Sequence, residues 1–344
     1  MQGGRGARGC KVRRAHSGGD KVGGATLCLG VWEYVKIARP EHWLKNVFIV
    51  FGHAAAWTLV PSVSGGAGML AMAAFSLVPA CLIASVNYIL NEILDAPFDR
   101  LHPTKRLRGV AAGKVQVVWL WGMMVLLGVA GFGLSLLFFP AGYTLALGLL
   151  LLSGLVYNIS PVRLKDRAFV DVIAESFNNP IRLWLGWYAL VPGLSVVPPL
   201  SIVLAWWAFG GLLMTGKRYS EFRFIGDPQV SGAYRRSFRT YTETKLLLAM
   251  ITYSGLFCFC TGIAIAAYPR LNNLVFVFPL LLGAVLAYFK HAMSEVGAHL
   301  EPEQLLQNKW IIAAALATGG VTLWLLTTQL PLLEWFHFLR PLGY

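Results

Sequence analysis

The sequence predicts an all-α integral membrane protein, a bundle of about nine transmembrane helices around a cytoplasm-facing polar cavity. Three observations predict it. First, of 344 residues, 56% are hydrophobic and only 13% charged, where a soluble globular domain carries about 25% charged residues. Second, apolar runs near the ~20 residues needed to cross a bilayer recur at roughly 43–60, 68–91, 115–137, 141–159, 169–191, 198–216, 246–267, 273–290 and 310–330. Third, the cations alternate. Nine Lys/Arg precede or include Lys45; five lie between the second and third runs, three between the fourth and fifth, seven between the sixth and seventh, and two between the eighth and ninth. The other side holds only Arg270 and Arg340, and Arg182 falls inside a run. That pattern fits nine spans with the N-terminus cytoplasmic, in an inner (plasma) membrane. The net charge of +13 is then positive-inside bias with cations left over for phosphates, and no nucleic-acid partner is implied.

Residues 1–30 read as a disordered basic tail suited to anionic lipid, and 31–344 as a single polytopic domain. No cleavable apolar signal precedes them. The five cysteines have no metal-ligand or disulfide spacing, so they read as small hydrophobes. Val31–Ala38 reads as a short amphipathic segment leading into Arg39, His42, Trp43 and Lys45 at headgroup level. Trp and Lys there are also common interfacial anchors.

Behind the second run stands Asn91–Arg108, NEILDAPFDRLHPTKRLR. Asn91, Asp95 and Asp99 recur every four residues and would share one helical face. Pro97 argues against an uninterrupted helix, placing Asp99 on a bend beyond it. Hard oxygen ligands beside Arg100, His102, Lys105, Arg106, Arg108 and Lys114 form the usual arrangement for gripping a diphosphate through Mg²⁺. The alternative is a solvated basic loop beside a span. Further on, Asp171, Glu175, Asn178 and Arg182 follow helical spacing within the fifth run. Charge at that depth points to a polar ligand, or else to a structural ion-pair stripe. After the sixth run, Lys217, Arg218 and Glu221 are expected at the cavity mouth, with Tyr241 supplying a hydroxyl. No P-loop, zinc spacing or nucleophilic triad is present.

Together these stretches resemble the UbiA superfamily of intramembrane prenyltransferases, over most of the chain from about Ala38 onward. Asn91, Asp95 and Asp99 match its Asn-x-x-x-Asp-x-x-x-Asp signature. The decaprenyl-phosphate phosphoribosyltransferase branch is matched more specifically. Arg39, Pro40, Trp43, Lys45 and Asn46 match its opening motif; Asp99, Arg100, His102, Pro103, Lys105 and Arg106 match a second; Gly216, Lys217, Arg218 and Glu221 match a third; Tyr241 and Thr242 match a later pair. The chain departs at Gly109, where proline is usual, and at 175–182, which keeps Arg182 but not the glycine context. The second carboxylate-rich motif of aromatic prenyltransferases is also absent as such.

The resemblance implies a Mg²⁺-dependent transferase. Metal would be held by Asn91, Asp95 and Asp99, with Asp95, Asp99, Lys105 and Arg106 as catalytic residues. Substrate would be bound by Lys45, Asn46, Asn91, Arg100, His102, Arg182, Lys217, Arg218, Glu221 and Tyr241. The implied partners are phosphoribosyl diphosphate, a polyprenyl phosphate or diphosphate lipid, and the bilayer. Two alternatives stay open: prenyl transfer from a polyprenyl diphosphate to a small acceptor, and a non-enzymatic carrier of an anionic lipid.

Overall fold

The computed structural model describes residues 22–63, 65–102, 104–294 and 309–327, and among them every regular element is helical. The expected tail residues 1–21, together with Pro103, Arg340 and the end of the last run, lie outside the described residues. Helix α1 (Val22–Ala38) starts before the expected Val31 and leads through a 3-10 turn, Pro40–Phe48, into α2 (Ile49–Leu59). Then follow α3 (Ala67–Phe75), α4 (Leu77–Asp99), α5 (Val117–Phe138), α6 (Ala141–Asn158), α7 (Val170–Ser176) and α8 (Asn178–Leu190). The second half comprises α9 (Leu200–Ile225), α10 (Pro228–Tyr234), α11 (Glu243–Ala267), α12 (Phe278–Met293) and α13 (Lys309–Thr327).

Helix stands at each of the nine apolar runs, but among the described residues six stretches are long and apolar enough to cross a membrane: Ala67–Asp99, Val117–Phe138, Ala141–Asn158, Leu200–Ile225, Glu243–Ala267 and Pro269–Met293. The α2 and α8 helices have 11 and 13 residues, fewer than a perpendicular crossing takes. The chain is a multi-pass membrane protein whose outer faces show apolar side chains to the lipid, Leu126, Val129 and Leu137 of α5 among them.

Two sequence expectations about helix ends are corrected. Pro97 does not break α4, which continues to Asp99. Proline forfeits one backbone bond near the end, and ion pairs from Asp95 and Asp99 to other connections hold the last turn. The helix of the sixth run, α9, does not stop at Gly216 but runs on to Ile225, because Arg218 and Glu221 beyond it are buried and paired with each other rather than hydrated.

One core joins α2, α4, α6 and α8 through Ile49, Ile83, Tyr143, Leu147 and Leu185, and a second joins α9, α11 and α12 around Leu212, Met250 and Tyr288. The short α2 and α8 meet backbone to backbone. A Cβ on Gly52 would fall 2.1 Å from the Leu183 carbonyl, and one on Gly186 2.0 Å from that of Ile49. Close approach sets Asn46, just ahead of α2, against Arg182 on α8.

Candidate active site

The basic connections converge on one end of the bundle. Asp95, on the last turn of α4, receives Arg163 Nη2 at 3.0 Å and Lys165 Nζ, both from the connection between α6 and α7. Asp99 is buried and receives Arg108 Nη1 at 2.8 Å. Asn91 donates to Asn158 Oδ1 at 2.7 Å, and Lys165 donates to that same oxygen at 2.7 Å. Burial outweighs the attraction of Asp95 and brings the Lys165 ammonium down to about 8.

Beside this lies a second cluster centred on Arg218, whose side chain is 2% exposed. Its guanidinium donates to Asp171 Oδ2 at 3.0 Å, to Glu175 Oε2 at 2.5 Å, to the Tyr157 hydroxyl at 3.0 Å and to Glu221 Oε2 at 3.4 Å. Glu221 also accepts from Lys105 Nζ and has His102 Nε2 at 4.0 Å. Arg235 bridges the clusters, donating to the Tyr157 hydroxyl at 2.6 Å and to the Lys165 carbonyl at 3.4 Å. The Tyr241 hydroxyl donates to Asp171 and accepts from the Phe169 N–H at 2.8 Å. Burial and the Asp171 charge push its phenol up.

Three non-glycine residues among those described have positive φ: Arg39 (51°), Arg163 (26°) and Phe169 (65°). Each serves this end of the molecule. Arg39 holds Glu92 at 2.9 Å, Arg163 holds Asp95, and Phe169 holds Tyr241. Strained backbone persists where surrounding contacts over-determine it, as at functional sites.

Most residues singled out in the sequence meet here, with altered roles. Arg218, Glu221 and Tyr241 are buried partners of one another's network rather than open ligand contacts. Asn46 accepts from Arg182 Nε at 2.9 Å, and Arg182 Nη1 donates to the Asn178 carbonyl at 3.2 Å. Arg182 thus braces α8 against the chain before α2, and Glu175 pairs with Arg218. Arg100 turns to the Ala111 carbonyl at 3.3 Å and is exposed. The Lys45 ammonium lies 2.8 Å from His42 Nδ1. His102 is buried and accepts the Thr104 and Lys105 backbone N–H groups on Nδ1, shaping the loop that carries Lys105. Arg106 is exposed, and Lys217 is half-buried with its charge acting on Glu175.

Sequence reasoning missed Arg163, Lys165, Arg235, Tyr157 and Asn158. The local signal is the three cations Arg163, Lys165 and Arg167 in the short connection after Tyr157, which the sequence reading counts toward topology.

Among the described residues no group of three or more His, Cys, Asp or Glu side chains is assembled for a metal. The donor set nonetheless fits Mg²⁺, which commonly takes one or two carboxylates and completes its shell with water and substrate phosphate. Arg163 and Lys165 share one oxygen of Asp95, and Arg108 takes one of Asp99. Each carboxylate keeps a second oxygen, and Asn91 keeps its amide oxygen because it is the donor to Asn158.

The UbiA prenyltransferase family model matches residues 46–312. The decaprenyl-phosphate phosphoribosyltransferase of Mycobacterium tuberculosis is 31% identical over 246 residues, 70% of this chain and 74% of that protein. Its counterpart in Mycolicibacterium smegmatis is 29% identical over 248 residues, 70% of this chain and 72% of the relative. In fold, the chain is similar to a UbiA homologue from Archaeoglobus fulgidus bound to GPP and Mg²⁺, with a TM-score of 0.64 at 18% identity over 85% of this chain and 99% of that one. With its membrane-spanning helices and its family match over residues 46–312, the chain belongs to the UbiA prenyltransferase family of membrane transferases.

Proposed function

We propose that this protein transfers a 5-phosphoribosyl group from phosphoribosyl diphosphate to a polyprenyl phosphate, such as decaprenyl phosphate, for lipid-linked sugars of the cell envelope. The observation that carries this reading is the convergence of motifs distant in sequence. Arg39 meets Glu92 across 53 residues and Lys105 meets Glu221 across 116, at one end of the bundle. The two mycobacterial relatives bearing that activity in their names match across 70% of the chain, which supports the same substrates here.

In this reaction an ionised phosphate oxygen of the lipid attacks ribose C1. The new C1–O bond forms as the bond from C1 to the diphosphate oxygen breaks, and the electron pair leaves with the diphosphate. The attacking phosphate is already charged, so no general base is required. Asn91, Asp95 and Asp99 would hold Mg²⁺, which when bound supplies charge neutralisation on the diphosphate. Lys105 and Arg106, aided by Lys45 and Lys217, would stabilise the negative charge that builds on the leaving group. The Arg218 network fixes the Glu221 carboxylate and so the position of Lys105.

Lys217 would hold the 5-phosphate, remote from the reacting bond. Lys217→Ala should therefore raise KM for phosphoribosyl diphosphate more than it lowers kcat, because such binding is largely uniform between ground and transition states. The loss of one charge-assisted contact corresponds to about 1.5–3 kcal/mol, or roughly a ten- to hundredfold rise in KM. An unchanged donor KM with a lowered kcat would remove Lys217 from the 5-phosphate.

The basic end would face the cytoplasm of a plasma membrane crossed nine times, with the N-terminus inside. Cysteines introduced at Gln229 and Ser195, both exposed and flanking α9, test this with a membrane-impermeant maleimide on intact cells. Ser195→Cys should label and Gln229→Cys should not; the reverse pattern inverts the topology.

A further inference from the structure

Of the three carboxylates that Arg218 holds, Glu175 is the most open. Its side chain is 27% exposed, against 11% for Glu221 and 0% for Asp171. Ile173 on α7 and Phe177 just beyond it are the exposed large apolar residues of this stretch. Each stands two positions from Glu175, about 200° around the helix, so Glu175 opens toward the bundle interior and not toward lipid. Both of its side-chain bonds fall on Oε2, which accepts from Arg218 Nη2 at 2.5 Å and from the Tyr157 hydroxyl at 2.9 Å. Among the described residues, Oε1 takes no hydrogen bond.

The surroundings of this oxygen choose its ligand. The charges of Lys217 and Arg235 both act on Glu175, and that of Arg235 acts also on Asp95. Lys217 is assigned the 5-phosphate of the donor and Asp95 the metal-bound diphosphate, and the ribose ring joins those two ends. One turn further along, Asn178 accepts from Ser153 Oγ at 2.7 Å, so the wall beside Glu175 stays polar. An open carboxylate oxygen in a site built to take phosphates repels them, unless a hydrogen-bond donor covers it. Ribose hydroxyls are such donors, and a prenyl chain carries none. Glu175 also opens the stretch 175–182, where the chain departs from the phosphoribosyltransferase motif, so that motif does not assign it a role.

We propose that Glu175 Oε1 accepts a hydrogen bond from a ring hydroxyl of the ribosyl donor and so selects a sugar over a prenyl chain. This rests on the phosphoribosyl reading above and deepens it. Binding would be measured by calorimetry, with Mg²⁺, on the full-length protein in nanodiscs. The probes are two unreactive analogues of phosphoribosyl diphosphate in which a methylene replaces the ring oxygen, one complete and one lacking the 2- and 3-hydroxyls. The wild type should bind the complete analogue at least tenfold more tightly, as expected for a hydrogen bond to a charged group. In Glu175→Gln the amide oxygen faces the Arg218 and Tyr157 donors and its NH₂ takes the open place, so the preference should fall below threefold. Glu221→Gln disturbs the same ion network away from the ring and should keep the full preference. Equal binding of both analogues by the wild type, or an undiminished preference in Glu175→Gln, would overturn the assignment. A preference lost equally in both variants would make Glu175 a strut of the network and overturn it too.

The same preparation assayed for phosphoribosyl transfer separates this contact from the reading beneath it. Transfer to decaprenyl phosphate, with equal binding of the two analogues, would sink the Glu175 contact alone. No transfer and no binding of either analogue would sink the phosphoribosyl reading, and the contact with it.

Discussion

Asp95→Asn should lower turnover at least a hundredfold at saturating Mg²⁺ while the protein still purifies as a folded membrane protein. The carboxylate is assigned to the metal, and losing a charge aimed at the reacting phosphates typically costs 10²-fold or more. Asparagine keeps the shape and one acceptor oxygen for Arg163 and Lys165, so the local packing survives the exchange. Asp95→Ala removes that acceptor too and leaves the Lys165 ammonium, whose side chain is 5% exposed, without its carboxylate. It should therefore unfold at a lower temperature than Asp95→Asn, with activity equally lost. Near-normal turnover in the asparagine variant would show that Asp95 does not hold the metal.

Arg218→Met should be the most damaging single change to the folded state. Its guanidinium serves Asp171, Glu175, Glu221 and the Tyr157 hydroxyl at once, and Asp171 is fully buried. Removing one partner from a buried ionic cluster costs about 3–5 kcal/mol, because the remaining charges lose compensation without regaining water. Thermal unfolding in detergent should shift down sharply, or expression should fail. Arg218→Lys keeps the charge but not the planar fork that reaches several acceptors, and should fall between wild type and methionine. A methionine variant of wild-type stability that had lost only donor affinity would make Arg218 a substrate contact instead of a strut.

Much of this architecture was legible in the sequence because the bilayer imposes simple rules on it. The run expected at 141–159 is the helix Ala141–Asn158, and that expected at 246–267 lies within Glu243–Ala267. Length and apolarity decide such elements almost alone. The same rules misjudged the ends. Gly216–Arg223 reads as loop for its polarity, yet it forms about two further turns of α9, with Arg218 and Glu221 paired inside the protein.

The candidate site was legible in its carboxylates and cations but not in their pairing. Asp95 and Lys165 are joined across 70 residues, and Arg235 reaches Tyr157 across 78. No periodicity in the chain encodes such contacts, since they depend on how the connections at one end fold over each other. For the same reason Arg182 was placed on a ligand face when its partners are Asn46 and the Asn178 carbonyl.

The central claim is the identity of the donor, and it is tested most directly by incubating the purified protein with Mg²⁺, decaprenyl phosphate and phosphoribosyl diphosphate labelled in the ribose. A parallel reaction would supply a labelled prenyl diphosphate with small aromatic acceptors. The label should pass from the ribose into a chloroform-soluble lipid only when decaprenyl phosphate and Mg²⁺ are both present, and the parallel reaction should yield no prenylated product. Prenyl transfer in the second reaction, with no ribose label reaching lipid in the first, would contradict the assignment and make the diphosphate site one for a prenyl donor.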